Sequence, residues 1–174
     1  MKKLFLIISI VLFVFIGYSQ TREIYTNPDF LTIAKDHKIL AILPFKASVK
    51  LRPNQMEKMG KEQYEKLQID EGKNVQSALE TYFLTKKSDE KFTVSFQDIS
   101  KTNSILLKNN ITTETIDKYT NEDLAKLLEV DGIISGSLST DKPMSDGASV
   151  ALGLVVGFYG ATNTGKCTIN INDG

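Results

Sequence analysis

The feature that most constrains the fold of this chain is residues 38–45, with the sequence Lys-Ile-Leu-Ala-Ile-Leu-Pro-Phe. Its aliphatic residues follow one another without helical spacing, which is typical of a strand buried on both faces. Such a strand belongs in the middle of a sheet. Pro44 has no amide hydrogen to give to a neighbouring strand, so we expect the strand to end there and the chain to enter a loop.

Residues 1–19 have the pattern of a secretory signal peptide. A basic start precedes an almost wholly apolar run at 4–16, and Gly17 and Ser19 are the small residues that precede a cleavage site. We expect cleavage before Gln20. A membrane anchor is the alternative, but the run is shorter than the roughly 20 residues of a spanning helix. A lipoprotein needs a cysteine at the cleavage point, and the only cysteine is Cys167.

The rest of the chain is long enough for one core. We expect residues 20–37 to form an entry segment and residues 38–174 a single α/β domain. Removal of Lys2 and Lys3 leaves 19 basic and 21 acidic side chains, a net charge of −2, which argues against nucleic acid as a partner. One cysteine permits no internal disulfide, so we expect Cys167 to be a small buried apolar residue, with an intermolecular bridge as the alternative.

A long helical region is predicted after the first strand. Residues 46–54 are expected to form a loop, and residues 55–87 contain no proline. Residues 56–66 are a candidate separate helix, with 69–72 as the join. The apolar stripe of roughly helical period consists of Tyr64, Leu67, Val75, Leu79, Tyr82 and Phe83.

Two further strands and two capped helices complete the pattern. Residues 92–96 alternate as a strand, Asp98 is a candidate N-cap for a helix that ends at Asn109 and Asn110, and residues 120–123 form a capping box with Asp in place of Glu. Residues 132–138 are the third strand. This order predicts an α/β fold with a mixed, partly parallel sheet, right-handed crossovers and helices packed on the sheet.

The C-terminal part predicts an antiparallel β-hairpin. Residues 148–160 carry no charge and alternate between large and small apolar side chains, and residues 166–172 alternate more cleanly, with 160–165 as the closing turn. Residues 172–174 form a turn signal with nothing after it, so we expect either a fragment that lacks its C-terminal end or a last strand with an open edge.

The uncharged segment at residues 148–160, the first arm of the predicted hairpin, has two interpretations. As part of the domain's own sheet it packs against helices. Alternatively, since about 9–11 residues suffice for a tilted strand to cross a bilayer, hairpins from several subunits contact the outer membrane through residues 148–172 and close a barrel. Gly153 and Gly157 form a G-x-x-x-G motif, but the segment is too short for the spanning helix that uses this motif.

The nearest match to a catalytic or ligand motif is a phosphate-loop pattern at residues 160–167, Gly-Ala-Thr-Asn-Thr-Gly-Lys-Cys. Cys167 replaces the hydroxyl residue that binds magnesium, and the following residues alternate as a strand instead of opening a helix. We therefore interpret it as a glycine-rich hairpin turn and expect no nucleotide and no cofactor.

No convincing catalytic or metal site emerges from the remaining residues. His37 beside Asp36 is half of a possible catalytic dyad, but Ser135 lacks the sequence of a nucleophile elbow, so we expect a solvated loop histidine. One histidine and one distant cysteine give no metal-ligand spacing. The acidic pairs at 70–71 and 122–123 are explained as dipole-stabilising residues at helix starts.

Several segments resemble a known family. Leu-Pro-Phe at 43–45, Leu-Ala-Lys-Leu-Leu at 124–128 and Val-Asp-Gly-Ile-Ile-Ser-Gly-Ser at 130–137 make residues 38–174 similar to the periplasmic domain of the curli-secretion channel (CsgG-like) family. The layout also resembles the outer-membrane lipoprotein activators of penicillin-binding proteins, and the entry segment resembles uncharacterised exported proteins of Bacteroidetes-type bacteria.

The resemblance implies a glycine-rich hairpin that enters the membrane, at residues 145–173, and it implies no catalytic residues. The lipid-bearing cysteine, second hairpin and final helix of the channel subunits have no counterpart here, so we do not expect a pore from this chain as it stands. We expect an exported, non-enzymatic envelope protein in the periplasm or at the periplasmic face of the outer membrane, acting in assembly or secretion by contacts with envelope proteins or with itself. The alternatives are a soluble periplasmic regulator of a peptidoglycan synthase and, less favoured, a hydrolase using His37 and Asp36.

Overall fold

The computed structural model describes Tyr25, Pro28, Asp29, Thr32, Lys35 and residues 37–88, 94–140 and 165–174. The chain divides into two units between Leu31 and Thr32, and all elements named here lie in the second. They are β1 (Ile39–Ile42), β2 (Lys46–Val49), α1 (Pro53–Lys58), α2 (Lys61–Ser88), β3 (Ser95–Phe96), α3 (Ile99–Lys108), a 3-10 helix (Ile116–Lys118), α4 (Asn121–Leu128), β4 (Gly132–Thr140) and β5 (Gly165–Asp173).

The sheet is mixed and mostly parallel. β1 pairs in parallel with β3 and with β4, β2 also pairs in parallel with β4, and β5 runs antiparallel along the whole of β4. Because β5 occupies one edge of β4, β1 and β2 share the other edge, one after the other. The predicted α/β class, with a mixed, partly parallel sheet and a final antiparallel pair, is confirmed.

The prediction that the first strand ends close to Pro44 is confirmed, since β1 ends at Ile42, but the prediction of a loop at residues 46–54 is wrong, because Lys46–Val49 form β2. Ile42 pairs with Ile134 and Lys46 pairs with Ser137, so three residues of the first strand face two residues of β4. This is a β-bulge, and it places Pro44 where the pairing with β4 is interrupted. The strand then resumes as β2 in the segment expected to be a loop. The extra residue reverses the alternation and puts Phe45 on the same face as Ile42.

Helices cover both faces of the sheet. On one face, α2 packs on a cluster of β1, β2 and β4 residues, and on the other face α3 and α4 pack on a second cluster that includes Ala41 and Ile133. The first crossover leads from β1 over α2 to β3, and the second leads back over the opposite face to β4. The two crossovers run in opposite directions along the sheet and lie on opposite faces of it, so they have the same hand.

The helix break lies earlier than predicted. α1 ends at Lys58 and α2 begins at Lys61, so Met59 and Gly60 form the join, and α2 runs without interruption through residues 69–72. Asp70 and Glu71 therefore lie in mid-helix, where Asp70 accepts a hydrogen bond from Lys66 at 2.9 Å and Glu71 is buried. The expectation that this pair marks a helix start is wrong, whereas Glu122 and Asp123 do lie in the first turn of α4.

Both predicted helix caps are confirmed. Asp98 accepts hydrogen bonds from the amides of Ser100 and Lys101 at the start of α3. Thr120 and Asp123 form the reciprocal capping box of α4. These bonds satisfy amides that have no partner within the helix, which is why the local sequence was enough to predict them.

The last strand extends to Asp173, beyond the start of the predicted turn. Its described partner is β4, with Thr140 opposite Gly165. The predicted first arm at residues 148–160 and its closing turn lie outside the described residues, apart from Gly165, which begins β5. Of the predicted strand at 92–96, Ser95 and Phe96 form β3.

Candidate functional site

The β4–β5 hairpin, defined as Gly132–Thr140 with Gly165–Asp173, has one apolar and one polar face. Cys167, Ile169 and Ile171 lie opposite Leu138, Gly136 and Ile134, on the face that α2 covers at Ile134 and Leu138. α2 does not cover the whole of β5, because Ile169 is 37% exposed and Ile171 is 52% exposed. We call these two isoleucines the hairpin stripe.

The opposite face of the same strands carries hydroxyl and amide side chains. A groove of about 330 Å³ beside them is lined by Ala47, Leu138 and five polar residues of three strands, Lys46, Ser48, Ser137, Ser139 and Thr168. Lys46 Nζ donates to Asp117 Oδ2, so its charge is paired. The hairpin is therefore amphipathic, with its exposed apolar residues confined to the α2 side.

His37 fastens one end of the hairpin to the rest of the sheet. Its Nε2 donates a hydrogen bond to Asp173 Oδ1 at 2.7 Å, and its side chain is only 10% exposed. The expectation of a solvated loop histidine is wrong. Its carboxylate partner is the last residue of β5, and Asp36 lies outside the described residues.

Asp131 reinforces the same end of the sheet. Its Oδ2 accepts hydrogen bonds from the amides of Lys38 and Ile39, both at 2.8 Å. These two hydrogen bonds hold the pKa of the Asp131 carboxyl below its ordinary value, and the one from Ile39 has the larger effect. The amide of Gly174 donates to the Asp131 carbonyl at 3.2 Å, so the start of β1 and the end of β5 are tied to one residue.

The candidate nucleophiles do not lie with this histidine. His37 approaches Gly132, at the start of β4, whereas Ser135 lies further along β4, opposite Asn170 and on the other face. Cys167 packs against the core, as predicted, and burial raises the pKa of its thiol to about 11. A thiol with so high a pKa is protonated at neutral pH and is a poor nucleophile.

The phosphate-loop pattern is followed by a strand, as predicted. Gly165 and Lys166 begin β5 and pair with Thr140 and Ser139; residues 160–164 lie outside the described residues. A phosphate loop needs a helix at this point, since the helix N-terminus supplies the amides that bind the phosphates. The described residues therefore lack the helical half of such a site.

A buried polar network lies at the carboxyl end of β1. The chain leaves β1 towards α2 on one face of the sheet and leaves its neighbour β3 towards α3 on the other, and in doubly wound sheets the crevice between two such strands is where ligands bind. Here Gln76 donates to the Ile42 carbonyl at 2.7 Å and exchanges two hydrogen bonds with Asn103. The sequence analysis missed this network, although Gln76 stands beside Val75 in the apolar part of α2, which is an unusual place for a polar residue.

A second group of buried polar side chains lies towards α4. Gln97 donates to the Leu128 carbonyl at 2.8 Å and accepts from the hydroxyl of Thr102 at 2.9 Å. At the bulge, the Phe45 amide donates to the Gly72 carbonyl of α2 at 3.3 Å. The buried amide side chains and backbone carbonyls thus satisfy one another, and a groove of about 260 Å³, lined in part by Phe45, Lys46 and Thr113, lies beside the bulge.

Among the described residues, no group of three or more His, Cys, Asp or Glu is placed to hold a metal ion, and no helix is long and apolar enough to span a membrane. No protein-family model, curated protein or solved structure matches the chain. The resemblance to the curli-secretion channel family therefore stays a prediction.

Proposed function

We propose that this chain is an exported, non-enzymatic protein of the cell envelope that acts in assembly or secretion at the periplasmic face of the outer membrane. It works by binding other proteins, and the β4–β5 hairpin is its binding element. The observation that carries this proposal is the hairpin stripe: two large β-branched residues, 37% and 52% exposed, on the last strand of an otherwise covered face.

The position of the stripe supports protein binding. Sheet edges with exposed apolar side chains pair readily with another strand, and soluble proteins usually protect them with charge, proline or a covering element. Residues 167–172 contain neither charge nor proline. The binding energy at such a site comes from main-chain hydrogen bonds and burial of alternate side chains.

The connection between the two strands also supports the proposal. Thr140 and Gly165 are paired, so β4 ends and β5 begins at one corner of the sheet, at the opposite end of the hairpin from His37. The sequence between them includes the glycine-rich apolar segment that we propose contacts a membrane or a partner.

A non-catalytic role is supported by the polar network at the carboxyl end of β1. Gln76 donates hydrogen bonds to the Ile42 carbonyl and to Asn103, and Gln97 donates to the Leu128 carbonyl. These buried side chains are thus engaged in structural hydrogen bonds. The low net charge favours protein partners over nucleic acid.

The experiment that tests the location is fractionation of the native host's envelope after high-salt and carbonate washes, following the mature chain. The proposal predicts cleavage near Gln20 and retention with the outer membrane. Recovery of an uncleaved chain from the cytosol would contradict export. Release as a soluble periplasmic protein would contradict the outer-membrane assignment and favour the regulator of a peptidoglycan synthase.

A further inference from the structure

The polar face of the β4–β5 hairpin continues onto β2 as a regular array of residues. Two rows cross these three strands, and each row contains one lysine. The first row is Lys46, Ser137 and Thr168, and the second row is Ser48, Ser139 and Lys166. Neighbouring strands lie about 4.8 Å apart, and alternate residues of one strand lie about 7 Å apart. The six positions therefore form a compact patch on one face of the sheet.

The groove of about 330 Å³ lies on this patch. Five of the six residues line it, together with Ala47 and Leu138, which alternate with them along β2 and β4. Its volume is at the lower end of the range of about 300–1,000 Å³ for small-molecule sites. Among the described residues, none that lines the groove is acidic, and none forms a hydrogen bond to its four hydroxyl groups. These hydroxyls are available as donors to a ligand.

We propose that this groove binds a phosphate group, carried by a soluble phosphate ester or by a lipid headgroup. A phosphate group presents three acceptor oxygens, which suits hydroxyl donors on three strands together with a lysine ammonium. A planar carboxylate is matched better by the two parallel donors of an arginine, and the described lining contains no arginine. The site goes beyond the protein-binding role, because the groove and the hairpin stripe lie on opposite faces of β5.

An ion pair holds the lysine of the groove. Lys46 Nζ donates to Asp117 Oδ2, and the two side chains are 42% and 71% exposed. Ion pairs with this exposure are weak, so a phosphate in the groove competes with the Asp117 carboxylate for the same ammonium group. Removal of the two charges should therefore have opposite effects on phosphate binding.

Titration calorimetry of the protein purified from its native host tests the site, with inorganic phosphate and glycerol phosphate as probes. Lys46→Gln should weaken binding by about tenfold or more, because it removes the charged donor. Asp117→Asn should strengthen binding by roughly threefold to tenfold, because it frees the ammonium group. Ser137→Ala removes one exposed hydroxyl and should weaken binding by roughly fivefold.

The matched controls lie on α2, which covers the other face of the sheet. Lys73→Gln removes an exposed lysine, and Asp70→Asn breaks the ion pair with Lys66. Both variants should leave phosphate binding unchanged. Urea unfolding of every variant separates loss of the site from loss of the fold.

Vesicle sedimentation distinguishes the two sources of the phosphate group. A preference for phosphatidylglycerol over phosphatidylcholine vesicles that Lys46→Gln reduces would identify a lipid headgroup. Binding of glycerol phosphate without this preference would identify a soluble ester.

Three results would overturn the inference. They are no binding of any of these probes at millimolar concentration, equal effects of the groove variants and their controls, or binding of acetate as tight as that of phosphate. Each of them would leave the protein-binding role standing, because the hairpin stripe lies outside the groove.

Discussion

At the scale of single residues, the structure depends on positions where the backbone of α2 meets the bulge. A Cβ on Gly72 would meet the carbonyl oxygen of Phe45, and Phe45 is fully buried. A glycine in mid-helix normally costs about 1 kcal/mol relative to alanine. Here it permits the close approach of a helix to an interrupted strand.

Gly72→Ala should therefore destabilise the protein although alanine is the better helix former. The overpacking cost of about 1–3 kcal/mol exceeds the gain in helix propensity. Urea unfolding measures the difference. Gly60→Ala is the control, because a Cβ at Gly60 meets nothing within 4 Å, and it should be neutral or slightly stabilising. Equal effects of the two variants would contradict the close packing.

The hydrogen bonds between Gln76 and Asn103 predict that mutations of these two residues have coupled effects on the free energy of unfolding. Gln76→Leu removes the hydrogen bond to the Ile42 carbonyl and both bonds to Asn103, and should cost about 1–3 kcal/mol for the polar groups left buried. Gln76→Leu with Asn103→Leu should cost less than the sum of the two single variants, because the second change removes a group that the first left unpaired. Additive effects in urea unfolding would show that the amides act separately.

The hydrogen-bonded Asp131 carboxylate predicts that the stability of the folded protein depends on pH. Its carboxyl has a lower pKa in the folded chain, through the amides of Ile39 and Lys38. The stabilisation is complete above the unfolded pKa of about 3.9 and is lost as the pH falls through the lower folded value. Asp131→Asn should destabilise the protein at pH 7, and the difference should shrink below about pH 4. Glu57→Gln, exposed on α1 and away from these amides, controls for the loss of one charge; a difference that persists in acid would contradict this assignment.

At the scale of elements, the helix ends are set locally. Asp98→Ala removes the side chain that accepts from Ser100 and Lys101 and should cost about 1 kcal/mol in thermal or urea unfolding. Ser104→Ala, in the exposed interior of the same helix, should cost nothing. If the two variants unfold alike, the cap contributes no stability.

The elements also show what the sequence could predict. Caps, alternation and helical stripes depend on neighbours within a few residues, so α3, α4 and β4 were predicted from local patterns. Pro44 correctly marked the end of β1, but β2 was missed because it forms by pairing with β4, which no local pattern reports. Gly72 misled it because a helical glycine and a helix break look alike until the contact with Phe45 is known.

The candidate site shows the same limit. The alternation at residues 166–172 correctly predicted the two faces of β5. The exposure of Ile169 and Ile171, however, depends on how far α2 extends over β5, which is a matter of tertiary packing. His37 finds its carboxylate 136 positions away in the sequence, and no local pattern reports such a pair. The amide network likewise joins three segments that only the fold brings together.

At the scale of the whole molecule, helices cover both faces of the sheet at its centre, whereas β2 and β5 carry exposed residues within the described part of the chain. The covered centre contains the buried polar side chains, and the last strand contains the hairpin stripe. Binding is thus assigned to one edge of the sheet, whereas stability is assigned to its centre.

The most direct test of this assignment is photo-cross-linking in the native host, with a photoreactive amino acid at Ile171 and, as the control, at Leu107 on α3. The account predicts cross-linked envelope protein from position 171 and none from position 107. Cross-links from position 107 alone, or equally from both, would contradict the claim that the β4–β5 hairpin is the binding element.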